Sequence, residues 1–239
     1  MTAVPTRTRD EAIPVRLQRR VGLLVPSSNT VMENDLHGGL PKERYTVHTA
    51  RMFLVTTTRE AEIAMIEQHA PKAAGDVGTA GLDLMVFGCT SAGSLFGLDY
   101  DRKVCADLGR RAGCETLGTI SAVNEALDRR RFTRLAVITP YVDDLTEAVA
   151  GAAAAPGREI VAAHGMGITV NVELAGPTPA DIVAFARGKL AGVAMAGLFV
   201  SCTNFRAVEA IPALEAAFGV PVVTSNSAVN EAVRARFEG

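Results

Sequence analysis

Short apolar runs alternate with amphipathic stretches along this chain from about residue 21 onward. Val21-Gly22-Leu23-Leu24-Val25-Pro26 is an apolar run closed by proline, the pattern of a strand buried on both faces. Residues 32–36 read as a short helix broken by Gly38-Gly39-Leu40-Pro41, and residues 45–55 as a second strand. Residues 59–80 read as an amphipathic helix in which Pro71 ends one turn or begins another. A third apolar run covers 82–88, and residues 99–112 read as a helix capped by Gly113. A short strand follows at 114–120, and Ser121 opens a helix as its N-cap. The pattern then restarts. It gives a strand closed by Pro140, an Ala-rich helix over 141–155, a strand at 159–163, a loop at 165–168 and a helix over 179–190. A strand at 198–201, a helix over 207–218 stopped by Gly219, a strand at 220–224 and a helix over 227–237 complete it. Such alternation predicts parallel sheets with helices on both faces.

The restart is a repeat. Ser121-Ala122-Val123-Asn124-Glu125-Ala126-Leu127 returns as Ser227-Ala228-Val229-Asn230-Glu231-Ala232-Val233, Pro26 matches Pro140 and Cys89 matches Cys202, at offsets of 106, 114 and 113 residues. Three landmarks in one order at nearly one spacing mark two homologous halves. The expected fold is α/β: two pseudo-symmetric, doubly wound (Rossmann-like) halves, each with a parallel sheet flanked by helices, and an active site in the cleft between them. The seam falls at Asp128-Arg129-Arg130-Arg131, dividing 21–128 from 129–239, with the last helix of the first half free to pack on the other. Residues 1–20 carry Arg7, Arg9, Arg16, Arg19 and Arg20 but no apolar segment, and read as a flexible extension rather than a secretory signal.

Composition narrows the function. The 239 residues hold 24 Lys and Arg against 26 Asp and Glu, a formal net charge of −2, so the basic footprint of a nucleic-acid partner is missing. Aromatic residues are 5% and Trp is absent, which leaves few platforms for base stacking. No apolar run reaches the ~20 residues of a membrane-spanning helix, so no membrane partner is expected. Four cysteines without paired spacing suggest neither a disulfide framework nor a zinc site; reduced thiols fit a cytoplasmic enzyme.

Candidate chemistry centres on Gly88-Cys89-Thr90-Ser91 and Ser201-Cys202-Thr203-Asn204, each placed where an apolar strand ends. Ligands of open parallel sheets bind at that end, so two facing halves would bring Cys89 and Cys202 to one cleft. A helix N-terminus nearby would favour a thiolate and bind a carboxylate. Opposed thiols can attack carbon or take a proton on one face and donate one on the other, with no metal or organic cofactor. Cys105 and Cys114 read as buried small hydrophobes. Ser27, Ser28 and Asn29 suit a carboxylate, although the serines would equally cap a helix. Thr90, Ser91 and Thr203 belong to the cysteine loops, where the threonines also serve as turn residues. Tyr141 reads equally as a core aromatic or a site residue. His37, His48, His69 and His164 share no pattern and read as surface or structural, Asn124 and Asn230 as packing or cap residues, and Arg206 as either solvated or a carboxylate clamp.

Val25-Pro26-Ser27-Ser28-Asn29-Thr30, Gly88-Cys89-Thr90, Thr139-Pro140-Tyr141, Ser201-Cys202 and Gly219-Val220-Pro221-Val222 together resemble the aspartate/glutamate racemase superfamily, in its maleate cis–trans isomerase and arylmalonate decarboxylase branch. The resemblance spans residues 20–235. It implies Cys89 as nucleophile, Cys202 as proton donor, and substrate contacts at Asn29, Tyr141 and Asn171. It also implies a small dicarboxylate substrate, most simply maleate going to fumarate, and a homo-oligomer, dimer or tetramer. Thr90-Ser91-Ala92 is closer to racemase-like relatives, and Tyr141-Val142-Asp143-Asp144 resembles the decarboxylases. Those decarboxylases carry a small residue at the Cys89 position, so retention of Cys89 argues against that reaction. Racemisation of an amino acid or related α-carboxylate by the same thiols is the alternative, and a non-catalytic dicarboxylate-binding protein a third.

Overall fold

The computed structural model describes residues 18–238. The first apolar run forms β1 (Arg19–Pro26), buried from Val21 onward. It starts inside the segment expected to be flexible, because Arg20 is pinned: its N–H donates to Asp83 (2.7 Å) and its guanidinium to the Ala80 carbonyl (2.6 Å). The expectation for residues 1–17 lies outside the described residues. Helix α1 (Met32–Gly39) runs through both glycines where a break was expected. A side chain on Gly39 would collide with Asn230, so glycine there admits a second helix at close range. Strand β2 (Tyr45–Met52) stops short of residue 55 because the Ser27 hydroxyl takes the Leu54 N–H (3.0 Å) and draws the chain aside.

Residues 59–78 form one rod in three parts: α2 (Arg59–Ala64), a π-helical turn (Met65–His69) and α3 (Ala70–Gly78). The wide turn comes just before Pro71, whose missing N–H and ring would interrupt a regular α ladder. Strand β3 (Leu84–Phe87) leads to a short helix α4 (Thr90–Ser94) that the pattern did not predict. Helix α5 (Leu98–Ala112) ends at a left-handed Gly113, as expected. After β4 (Thr116–Gly118), α6 (Thr119–Arg129) begins two residues before Ser121, which is therefore not its cap; the Ser121 hydroxyl instead donates to buried Asp101 (2.5 Å).

The second half repeats the order: β5 (Arg134–Thr139), α7 (Asp143–Ala153), β6 (Glu159–Gly165), a 3-10 turn (Asn171–Ala175), α8 (Pro179–Lys189), β7 (Gly197–Val200), α9 (Ala207–Phe218), β8 (Val222–Thr224) and α10 (Ser225–Glu238). Two four-stranded parallel sheets result, ordered β2-β1-β3-β4 and β6-β5-β7-β8. The repeated helices cross over. Helix α10 sends Val229, Ala232 and Val233 into the apolar layer between β1, β3 and α1. Helix α6 sends Val123, Ala126 and Leu127 into the larger core that β5 and α7 share. Each repeated asparagine bonds the first helix of the opposite half: Asn124 donates to the Ala152 carbonyl (2.9 Å) and Asn230 to the Asp35 carbonyl (3.1 Å). Arg129 and Arg130 of the expected seam pair with Glu231 on α10.

Candidate active site

Strands β3 and β7, an inner strand of each sheet, are each followed two residues later by a cysteine. Gly88, just before the first, is closed to any side chain: a Cβ would meet the Met32 sulfur and the Leu24 carbonyl. Cys89 is extended (φ −141°) and stands in the N-cap position of α4 without a side-chain bond capping that helix; the nearby Ala92 N–H acts only to lower the pKa of its thiol against burial. Cys202 has φ +111°, a conformation side-chain-bearing residues rarely adopt. Its N–H donates to Ser225 Oγ (3.1 Å), and its sulfur accepts the Asn204 N–H (3.2 Å).

The cysteine loops are bonded to each other across the two halves. Thr203 donates to the Gly88 carbonyl (3.1 Å) and accepts from Asn29 (3.1 Å). Thr90 donates to Ser225 Oγ (2.8 Å), the same oxygen that takes the Cys202 N–H. Tyr141, 2% exposed, bonds the Cys202 sulfur through its hydroxyl; burial first, then the charge of the Cys202 and Cys89 sulfurs, raises its pKa. Both thiols are buried, at 4% and 3% exposure. Burial pushes Cys202 up to about 12, with the Tyr141 hydroxyl and Asn204 N–H opposing. Burial, then the neighbouring Glu62, holds Cys89 well above the ordinary thiol range. Both therefore rest as neutral thiols near neutral pH.

Glu62 was passed over in the sequence, yet it is completely buried beside the thiols. Its signal was there: Glu62, Met65, Ile66 and Ala70 share one helical face, and an acid on an apolar stripe is out of place. Oε1 accepts from the Ser91 hydroxyl, whose oxygen lies 3.8 Å from Cys89 Sγ. Oε2 has no hydrogen-bond partner among the described residues. Burial raises the Glu62 carboxyl to about 8 against the pull of Ser91 and Arg59. Ser225 and Asn204 were also passed over; Ser225 is the first residue of α10 and Asn204 follows Cys202 by two residues, so both meet that cysteine from within its own half.

The remaining candidates converge on the same place. Ser28 donates to the Leu54 carbonyl (2.6 Å) and accepts from Asn171 (2.8 Å). Asn29 caps α1 by accepting from the N–H groups of Val31 and Met32, both at 3.0 Å. Asn171 also accepts from Thr57 (3.1 Å), and its carbonyl takes the Asn204 amide (2.6 Å). With Thr57 N–H donating to the Thr169 carbonyl (2.7 Å) and Asn171 N–H to that of Val55 (2.8 Å), the loops after β2 and β6 form a strap between the halves. Cys105 and Cys114 stand apart, beside a surface hollow of about 720 Å³ at the β4 edge. Arg206 pairs with Glu209 on its own helix and clamps nothing in the site.

A family model described as arylmalonate decarboxylase matches residues 21–237. The chain belongs to the arylmalonate decarboxylase family. A maleate isomerase of Pseudomonas putida is 28% identical to it over 229 residues, 90% of each chain. A crystal structure of a Pseudomonas putida maleate isomerase with maleate superposes with a TM-score of 0.85 at 23% identity, covering 92% of both chains. A Nocardia farcinica maleate cis–trans isomerase variant with a covalently bound succinylcysteine intermediate gives 0.84 at 23% identity, over 92% and 93% of the two chains. The paired four-stranded sheets seen here are thus the fold of the arylmalonate decarboxylase family, and the two cysteines lie where its sheets meet.

Proposed function

We propose that this chain is an isomerase that converts maleate to fumarate through its two cysteines. The observation that carries this reading is the pair of buried thiols, delivered by equivalent strands to one hydrogen-bonded centre with Tyr141 against them. Relatives that are maleate isomerases over nearly their whole length support it. Cys89 Sγ, as thiolate, adds to one olefinic carbon, and the displaced electron pair takes the proton of Cys202 at the other. The bond between those carbons is now single and rotates. Cys202 takes the proton back, the Cys89 sulfur leaves with its electrons, and the trans alkene remains. Cys202 suits the proton-donor role: burial keeps it a thiol, while the Tyr141 hydroxyl and Asn204 N–H await the thiolate it becomes. Ser27, Ser28, Asn29, Thr90, Ser91, Asn171 and Thr203 are the polar groups around the thiols available to the two carboxylates. Their hydroxyl hydrogens are engaged within the resting protein, which leaves the second amide hydrogens of Asn29 and Asn171 as the readiest donors, and the scheme requires no cofactor.

Incubation with maleate, followed by NMR, should yield fumarate, and Cys89→Ser and Cys202→Ser should each remove that turnover. Unchanged turnover in either variant would overturn the assignment. The Thr90-Ser91 pair favours a second reading, racemisation at a carbon α to a carboxylate. Solvent deuterium entering an α-carboxylate substrate, with maleate left untouched, would select it. Four free thiols support a reducing, cytoplasmic setting. Among the described residues no helix is long and apolar enough to cross a membrane. We also expect a homo-oligomer, which light scattering on the purified protein would test.

A further inference from the structure

In the proposed scheme Cys89 attacks as a thiolate, yet it rests as a thiol sealed from water, and nothing so far receives its proton. Two groups, Ser91 and Glu62, follow one another beside it. Cys89 Sγ lies 3.8 Å from Ser91 Oγ, and the Ser91 hydroxyl donates to Glu62 Oε1. Glu62 is 0% exposed, and its second oxygen has no donor among the described residues. A carboxylate denied hydrogen bonds on one oxygen and water on both holds a proton more tightly than a solvated one.

We propose that Glu62 is the resting place of the Cys89 proton, reached through the Ser91 hydroxyl. The step balances. The Cys89 S–H proton passes to Ser91 Oγ as the Ser91 proton passes to Glu62 Oε1, leaving a thiolate, an intact serine and a neutral carboxyl. One negative charge is moved and none is created, so the thiolate forms without a second anion beside it. The same path runs backwards when the sulfur leaves the substrate and the free enzyme is restored. Glu62 touches no reacting atom; it is a positioning residue that acts through Ser91.

The groups around Glu62 fit this task. Arg59 on its own helix lowers its proton affinity and Asp144 on α7 raises it, while Cys89, Cys202 and Tyr141 each feel its charge. The balance leaves the carboxyl near 8, so it is largely protonated at neutral pH and the relay runs in the ionised fraction, which grows as pH rises through 8.

The inference rests on the isomerase reading for its purpose, but its test does not need maleate. Purified wild type, Glu62→Gln and Ser91→Ala are alkylated with iodoacetamide from pH 6 to 10, and the rate at Cys89 is read by peptide mass spectrometry. In the wild type the rate should climb through about pH 8 and level off. Both variants should be about 10-fold or more slower at pH 8, with the climb moved to higher pH. The opposite sign decides against the relay. If Glu62 only repels the thiolate, Glu62→Gln removes that repulsion and Cys89 reacts faster. A wild-type profile in Ser91→Ala would equally overturn it. Maleate turnover measured alongside separates the two claims. Turnover with faster alkylation in Glu62→Gln keeps the isomerase and sinks the relay. No turnover by the wild type, with the slowed, shifted alkylation in the variants, keeps the relay and sinks the isomerase.

Discussion

The loops at Cys89 and Cys202 occupy equivalent places in two halves of matching topology, and they are built differently. Cys89 opens a helix; the Ala92 N–H lowers its thiol's pKa against burial, and through Ser91 its sulfur meets a buried acid. Cys202 opens no helix at once. It is held in a strained turn by Ser225 and Asn204 and meets a tyrosine hydroxyl. The first arrangement can remove a proton from sulfur and steady the anion. The second keeps its proton until something takes it. Duplication supplied two thiols; in the proposed scheme their neighbours divide the labour between attack and proton donation.

That division can be broken experimentally. The largest effect should come from the sulfurs themselves. Cys89→Ser and Cys202→Ser should each lower maleate turnover roughly 10⁴-fold or more, but only Cys202→Ser should trap one maleate mass on the Cys89 peptide. An adduct on Cys202 would reverse the roles. Next is the cost of burying the acid. The folded-state pKa of Glu62, about 8, lies above its ordinary 4.5, so the neutral carboxyl favours the fold below 4.5 and this contribution is lost as pH rises through 8. The loss is on the order of 4 kcal/mol. Urea melts at pH 5 and pH 9 should show that decline in the wild type and a much smaller one in Glu62→Gln. Equal declines would mean that the acid does not carry the burden assigned to it.

Tyr141→Phe sharpens the other side. It removes one hydrogen bond to the Cys202 thiolate, about 1.5–3 kcal/mol, and should lower kcat by roughly 10- to 100-fold with little change in KM. The smallest effects probe the tethers between the halves. Asn124 donates to Ile120 and Ala152 and accepts from Arg158, whereas Asn230 has one bond, to Asp35, and an unpaired oxygen. Asn124→Ala should therefore cost about 2 kcal/mol and Asn230→Ala about 1 by denaturant titration. The reverse order would make the second tether the firmer one.

The strands that frame the site were legible because apolar runs such as Leu84-Met85-Val86-Phe87 leave a chain little choice but burial in a sheet. The duplicated cysteines were legible for the same reason, each standing where such a run stops. Helix starts were not. Ser121 looked like a cap, but its hydroxyl was claimed by Asp101, a partner twenty residues earlier. Its counterpart helix likewise begins early, at Ser225, and so brings that hydroxyl to Cys202 and Thr90. Gly38 and Gly39 looked like a break, because a sequence does not show which helix must come close. Asn171 owes its place to four hydrogen bonds with residues far away in the chain, at Ser28, Val55, Thr57 and Asn204, none of them announced locally.

The crossing of α6 and α10 has a bearing on how the molecule is made. The apolar layer over β1 and β3 is finished by Val229, Ala232 and Val233, supplied by the last turns of the chain. A ribosome that has completed β1 to β4 has released every strand of the first sheet while one of its faces is covered by α1 but not yet by α10. Nascent chains should hold that face partly open, and exposed to chaperones, until α10 has been made. A stop codon before residue 229 would then injure the oldest part of the protein more than the newest.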